Sequence, residues 1–244
     1  MYDFGRFLKV ALDTVLPPLC HLCKASIPDT REELLCDHCL EKCYRIQSPL
    51  CLVCGIPFLT SQGIDHVCGR CQTAPPPFRA ARAAFLYEAS VKELIHRFKY
   101  GHKVLLAHPI GCFIARYLSE FVVEVEPDLL MPIPLHRTRL RERCFNQAQL
   151  LGEVLAKMWD IPLSIGNLQR VRQTVPQTNL TADERARNVR GAFAMSEPAQ
   201  IQGKRVLLVD DVLTTGSTVA ECSRVLHAGG AEAVCVVTAC RAGS

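Results

Sequence analysis

No stretch of the 244-residue chain approaches the 18 or so consecutive apolar residues that a membrane-spanning helix needs. A strong charge of one sign is missing too: 28 basic and 24 acidic residues leave a net charge of +4 and a pI of about 8.4. That balance permits an anionic partner without demanding one, and a strongly basic nucleic-acid protein would sit higher. A secretory leader is not expected either, since Asp3, Arg6, Lys9 and Asp13 interrupt any apolar signal core and no small-x-small cleavage site follows. Phe4, Phe7, Leu8, Ala11, Leu12, Val15 and Leu16 instead recur at helical spacing until Pro17-Pro18. This predicts an amphipathic helix over 1–18 that docks on its own protein, with a membrane-surface helix as the alternative. The chain reads as cytoplasmic. Its 14 cysteines would then meet a reducing compartment, which excludes a disulfide framework and leaves metal as the default. Global disorder is excluded by an apolar content of 49%.

The composition changes near residue 78. Nine of the cysteines fall between Cys20 and Cys71, in a turn-rich segment that closes on the stiff spacer Pro75-Pro76-Pro77. Beyond it, helical and strand patterns alternate. Ser90-Val-Lys-Glu93 has the form of a capping box, with Val91, Leu94, Ile95 and Phe98 on one face and Gly101 as the stop. Further helices are predicted over 105–118, 146–158 and 217–228, and apolar strands over 129–133, 205–209 and 233–239, with a polar, arginine-rich loop after the first of these strands. Strands joined by helices imply an α/β domain with a mainly parallel sheet covered on both faces. The expected organisation is a helix over 1–18, a cysteine module over 19–77 and an α/β domain over 78–244.

The cysteines come as four Cys-x-x-Cys pairs, Cys20/Cys23, Cys36/Cys39, Cys51/Cys54 and Cys68/Cys71, with gaps of twelve and thirteen residues inside the two successive quartets. Two residues between ligands let one tight turn aim both thiolates at a single tetrahedral ion, and this is zinc-ribbon spacing. Soft thiolates select zinc, with iron as the alternative. A short segment poor in large apolar residues needs such a staple, and structural zinc contributes roughly 10–16 kcal/mol of apparent folding energy. With every position of each quartet a thiolate, two structural ions are expected, paired within each quartet; an interleaved pairing is the second choice. Cys43 is left over, His21, His38 and His66 are read as bystanders, and Cys112, Cys144, Cys222, Cys235 and Cys240 as small buried hydrophobes.

The most informative stretch runs from Val206 to Thr218. An apolar strand ends in two carboxylates, and a hydroxyl-rich loop then opens a helix whose free N–H groups and dipole attract an anion. Thr214, Thr215, Ser217 and Thr218 add hydroxyls to the same phosphate, and Gly216 allows close backbone approach. Asp210 and Asp211 would accept from the two hydroxyls of a ribose. The pattern therefore describes a sugar phosphate. A strand with two acids also occurs in nucleotide hydrolases, but those need a Gly-Lys-Ser/Thr loop. The one Gly-Lys here, Gly203-Lys204, runs into Arg205.

These residues resemble the phosphoribosyl pyrophosphate (PRPP) motif of type I phosphoribosyltransferases. The whole chain resembles the ComF family, through its cysteine quartets, Phe98-Lys-Tyr-Gly101, Pro132-Ile-Pro-Leu-His136, Arg139 to Gln147, Arg170 to Gln177 and Arg187 to Phe193. The resemblance implies a phosphoribosyltransferase fold behind a double zinc ribbon, and a role in DNA uptake during natural transformation. It implies Asp210 and Asp211 at the ribose, and Thr214, Thr215, Gly216, Ser217 and Thr218 at the 5′-phosphate. Arg143 and Asn146 would lie near the pyrophosphate, Lys99 would join the PRPP contacts, and Arg170, Arg172 and Gln177 would belong to a closing hood. Magnesium would arrive with PRPP, held mainly by ligand oxygens. One departure stands out: the family has Arg-Gly-Phe-Asn where this chain has Arg143-Cys-Phe-Asn146, which puts Cys144 where a glycine turn is expected.

Three functions compete at this level. The first is a phosphoribosyltransferase acting on an unidentified, nucleobase-like acceptor. The second is a PRPP-binding module that handles incoming single-stranded DNA, with Arg137, Arg139, Arg141 and Arg143 as a basic stripe following phosphates, the alternative being that these arginines simply form the pyrophosphate site. The third uses the zinc ribbons as a platform for nucleic acid or for other DNA-uptake or recombination proteins, beside a non-catalytic PRPP site.

Overall fold

The computed structural model describes residues 19–27, 35–60, 62–101, 103–175 and 181–243. The helix expected over 1–18 and the hood residue Gln177 lie outside the described residues.

A four-stranded, all-parallel sheet organises the second region, in the order β1 (Ala80–Leu86), β6 (Ala233–Arg241), β5 (Arg205–Leu213), β2 (Leu129–Pro132). Its central strands read Arg-Val-Leu-Leu-Val and Ala-Val-Cys-Val-Val because both faces are covered. Alternation then sorts the side chains. Leu207 and Val209 enter one core cluster, and Val206 and Leu208 enter the other. The first face is covered by α3 (Ala89–Tyr100), α4 (Ala107–Tyr117), α5 (Ser119–Val125) and α7 (Gln147–Trp159); the second face by α9 (Ser217–Ala228) and a small antiparallel pair, β3 (Leu168–Arg170) with β4 (Phe193–Met195). Two single-turn helices, α1 (Asp37–Glu41) and α2 (Gly69–Thr73), overlap the second pair of each cysteine quartet, while α6 (Arg137–Arg143) and α8 (Ala182–Val189) lie in the connections. Among the described residues no helix is long and apolar enough to cross a membrane.

Several expectations require correction. The capping box at Ser90 does not form: α3 begins at Ala89 behind Glu88, without a side-chain cap. Its apolar face is as expected, with Val91, Leu94, Ile95 and Phe98 all buried. A true capping box occurs instead at Thr181 and Glu184, before α8. Strand β5 does not stop at Val209 but continues through both acids to Leu213, because β6 keeps pairing with it.

The arginine-rich loop is a helix, α6, and this dissolves the proposed stripe. Helical residues two apart point about 200° from one another. Arg139 and Arg143 accordingly line the main cavity, whereas Arg137 and Arg141 are exposed. Cys144 is not a buried hydrophobe either. It is exposed and closes α6 with φ of +65°, the left-handed backbone for which the family's glycine is suited.

Candidate PRPP pocket and metal sites

Each cysteine quartet converges. The sulfurs of Cys20, Cys23, Cys36 and Cys39 lie within 4.8 Å of one another, as do those of Cys51, Cys54, Cys68 and Cys71. This is the pairing within quartets. Two Sγ–Sγ separations, 3.4 Å for Cys23–Cys36 and 3.9 Å for Cys54–Cys68, bracket the roughly 3.8 Å edge of a tetrahedron with arms of about 2.3 Å. The donor set therefore fits a structural zinc ion in each site. No histidine joins either cluster. Cys51 receives the backbone N–H groups of Cys54 (3.4 Å) and Cys68 (3.3 Å). Burial alone would raise its thiol, but these N–H groups outweigh it and hold Cys51 down at about 6; Cys20 is held at about 6 in the same way by the N–H groups of Cys36, Cys23 and Leu22. The leftover Cys43 points its thiol at the Cys39 carbonyl (3.3 Å), and burial pushes it up to about 11.

The second centre is a cavity of about 350 Å³ at the carboxyl ends of β5 and β2. Both acids at the end of β5 line it, yet the pleat sends them to opposite faces of the sheet. Asp211 is buried on the α3 side, with Oδ1 2.9 Å from Lys99 Nζ. Burial would lower the Lys99 ammonium, but the Asp211 carboxylate outweighs it and holds it above its usual value. Asp210 lies on the α9 side, has no ion pair among the described residues, and accepts the N–H of Asp211 at 2.9 Å. Burial, followed by repulsion from Asp211, pushes its carboxyl up to about 7. One acid is thus paired with a cation, and the other is unpaired among the described residues and raised by burial.

The loop after β5 supplies the next wall. Gly216 adopts φ of +81° at the start of α9, a conformation that favours glycine. Thr214, Gly216, Ser217 and Thr218 line the cavity, and the Thr215 hydroxyl turns to Ser217 Oγ at 2.8 Å. Across from this loop stand five cationic residues, Lys99, Arg139, Arg143, Arg170 and Arg185. With only two acids opposite, the cavity is built for a multiply charged anion.

The remaining expected residues divide. Arg143 lines the cavity, stacks over the Tyr100 ring at 5.0 Å and reaches Gln147 Oε1 at 3.3 Å. Asn146 also lines it, but its amide donates to the Ile133 carbonyl (3.0 Å) and its Oδ1 accepts from the Ala148 N–H (3.1 Å). It caps α7 and fastens the loop after β2. Arg170 packs over Phe193 and bonds Thr174 Oγ1, while its buried Nε has no partner among the described residues. Arg172 is not brought into the cavity: its guanidinium donates to the carbonyls of Asn188 (3.0 Å) and Arg190 (2.7 Å). Tyr87, Gln147 and Arg185 also line the cavity, and none of them was expected there from the sequence. Gln147 is buried, with an unpartnered Nε2, and its only signal was a place at the end of the Arg139 to Gln147 stretch.

Two family models match the chain. Residues 11–72 match the double zinc ribbon domain, and residues 147–244 match the phosphoribosyl transferase domain. DNA utilization protein YhgH of Escherichia coli K12 is 33% identical over 234 residues, covering 93% of this chain and 98% of that protein. Competence protein F of Haemophilus influenzae is 30% identical, with coverage of 82% and 93%. Competence protein ComFC of Bacillus subtilis is 29% identical, with coverage of 80% and 78%. Fold and site define a phosphoribosyltransferase-type domain fronted by two four-cysteine sites. The chain belongs to the ComF family, with YhgH related over 93% of its length and competence protein F over 82%.

Proposed function

We propose that the cavity at the end of β5 binds PRPP, with its magnesium held by the ligand's own oxygens. The ribose hydroxyls would meet Asp210 and Asp211, the 5′-phosphate the loop of Thr214 to Thr218, and the pyrophosphate Arg143, in the loop region that Asn146 fastens. Lys99 would act through Asp211, and Arg170 would present its unpaired Nε to the ligand. The observation that carries this reading is the juxtaposition of two acids, a hydroxyl loop at a helix start and five cations around one cavity. A sugar carrying phosphate groups at both ends is the ligand class that uses all three.

Transfer would break the bond between the anomeric carbon and the pyrophosphate oxygen, the electron pair leaving with pyrophosphate. The cation-like sugar would be stabilised by the Asp210 and Asp211 carboxylates until an acceptor's lone pair forms the new bond. A role in DNA uptake is proposed from the names of the relatives. There the exposed Arg137 and Arg141 are available to nucleic-acid phosphates while Arg139 and Arg143 face the cavity.

Calorimetry with PRPP and magnesium tests the site, with zinc counted on the same sample. Wild type should bind, and the Asp210→Ala/Asp211→Ala double variant should lose at least ~100-fold in affinity, since hydrogen bonds to charged groups contribute roughly 1.5–3 kcal/mol each. Equal affinity in the two proteins would refute the assignment. Pyrophosphate release on adding candidate acceptors tests turnover. For the nucleic-acid role, Arg137→Ala/Arg141→Ala should flatten the salt dependence of single-stranded DNA binding while leaving PRPP affinity unchanged; an unchanged salt slope would remove it.

A further inference from the structure

The second cysteine site is bonded to the phosphate loop itself. Arg70 stands between Cys68 and Cys71 on α2, and its Nη2 donates to the Thr215 carbonyl at 2.8 Å, across 145 residues of sequence. The rest of this knuckle is anchored beside it. Ala81 N–H donates to the Val53 carbonyl at 2.7 Å, the Arg82 guanidinium to the Leu52 carbonyl at 3.0 Å, and Arg241, at the end of β6, to the Cys54 carbonyl. Gly55 lies so close to β1 that a Cβ there would stand 2.3 Å from the Ala81 carbonyl oxygen. Between knuckle and loop is a second cleft of about 310 Å³, bordered by Cys54, Arg70 and Cys71 on one side and Thr214 to Ser217 on the other. The loop is therefore a thin partition with the anion cavity in front and the metal knuckle behind. The first quartet is attached elsewhere, through Arg97 of α3 to the carbonyls of His21 and Leu22.

The orientation of one peptide plane gives this contact its meaning. In a trans peptide the C=O and the following N–H point in opposite directions. Holding the Thr215 carbonyl toward Arg70 turns the Gly216 N–H away from the knuckle, to the cavity side of the partition. Gly216, at φ of +81°, is the residue type that tolerates either orientation of that plane, so the glycine alone does not select one.

We propose that Arg70 is a positioning residue for phosphate binding: it locks the Thr215–Gly216 peptide with its N–H toward the anion, and so couples ligand affinity to the metal in the second four-cysteine site. The proposal rests on the PRPP reading above. Helix α2 has five residues, too few to persist alone, so Arg70 keeps its position only while Cys68 and Cys71 are tied down. Coupling of this kind is reciprocal, so bound ligand must in turn hold the metal more tightly.

Calorimetry with three probes tests the idea: PRPP, ribose 5-phosphate and inorganic pyrophosphate, on wild type, Arg70→Ala and Arg70→Lys. Arg70→Ala should weaken PRPP and ribose 5-phosphate about 5- to 20-fold, as expected for one charge-assisted bond made by an exposed side chain. Pyrophosphate should bind as in wild type, which shows that the variant is folded. Arg70→Lys, which keeps one donor, should recover part of the loss. Independently of any variant, PRPP should slow release of one of the two zinc ions to a chelator, and Arg70→Ala should abolish that protection. Equal ribose 5-phosphate affinity in wild type and Arg70→Ala, or a parallel loss for pyrophosphate, would overturn the proposal alone. Silence of wild type toward PRPP would overturn the reading of the site and this proposal with it.

Discussion

The cysteine sites and the anion cavity are built at opposite ranges of sequence. Each four-cysteine site is closed by residues within a span of about twenty, and backbone turns aim the ligands. The cavity draws on Tyr87 at one end and Val219 at the other, and its charge balance arises only when α3, α6, β3 and α8 pack around the end of β5. The first kind of site depends on local geometry and a metal; the second depends on the whole fold. The two meet at the partition between them, where Arg70 reaches Thr215.

The largest effects should come from breaking the local sites. Cys20→Ser and Cys51→Ser each remove a thiolate held near pKa 6 by backbone N–H groups, and each should reduce zinc content by one ion per chain. The cost is several kcal/mol out of the roughly 10–16 kcal/mol of apparent energy in such a site. The comparison sharpens further because Cys20, Leu22, Ile27 and Cys39 share a core cluster with α3 and the sheet, whereas Cys51 and Cys71 join neither cluster. Cys20→Ser should therefore lower the thermal midpoint of the entire chain, and Cys51→Ser should mainly weaken PRPP. If both variants retained two ions and the wild-type midpoint, the metal reading would fail.

A smaller effect sharpens the other side of the comparison. The Asp210 carboxyl is raised from its ordinary value to about 7 by burial, so the folded chain holds a proton there that the unfolded chain releases near pH 4. Stability from this group is fully present below about pH 4 and is lost as pH rises through 7. Asp210→Asn should consequently stabilise the ligand-free protein at pH 8 by on the order of 1–3 kcal/mol and flatten its pH dependence between about 4 and 7. Urea unfolding of both proteins at four pH values measures this. A variant that is less stable at pH 8 would show that Asp210 is not held against its ionisation.

The smallest effect concerns the turn after α6. Cys144 occupies φ of +65° without the freedom of glycine. Cys144→Gly should relieve about 1 kcal/mol of backbone strain, offset in part by the greater freedom of glycine in the unfolded chain. A rise of a few degrees in midpoint is expected. A fall would mean that the exposed thiol contributes more than the strain costs.

Much of this molecule is legible in the residue order, and the failures have a common cause. The quartets, the apolar faces of α3 and α7 and the succession of strand, acids, loop and helix from β5 to α9 all rest on periodicity or spacing over a few residues. The arginines from Arg137 to Arg143 misled because residues two apart look like one stripe on paper and diverge on a helix. Ser90 and Glu93 matched a capping pattern, yet α3 starts two residues earlier, at Ala89 behind Glu88. The resemblance put Asn146 near the pyrophosphate, and it does line the cavity; only the packed structure shows that its amide also bonds the Ile133 carbonyl and the Ala148 N–H.

What the residue order alone determined was chemistry carried by short segments: two thiolate tetrahedra, two acids at a strand end and hydroxyls at a helix start. Tertiary structure alone decided which acid is paired with Lys99, which arginines line the cavity, and that the second cysteine knuckle stands behind the loop after β5. The physical reason is range. A turn or a strand end sets its own geometry through bonded neighbours, whereas an ion pair between residues 99 and 211, or a hydrogen bond between 70 and 215, exists only after packing has brought distant segments within about 3 Å.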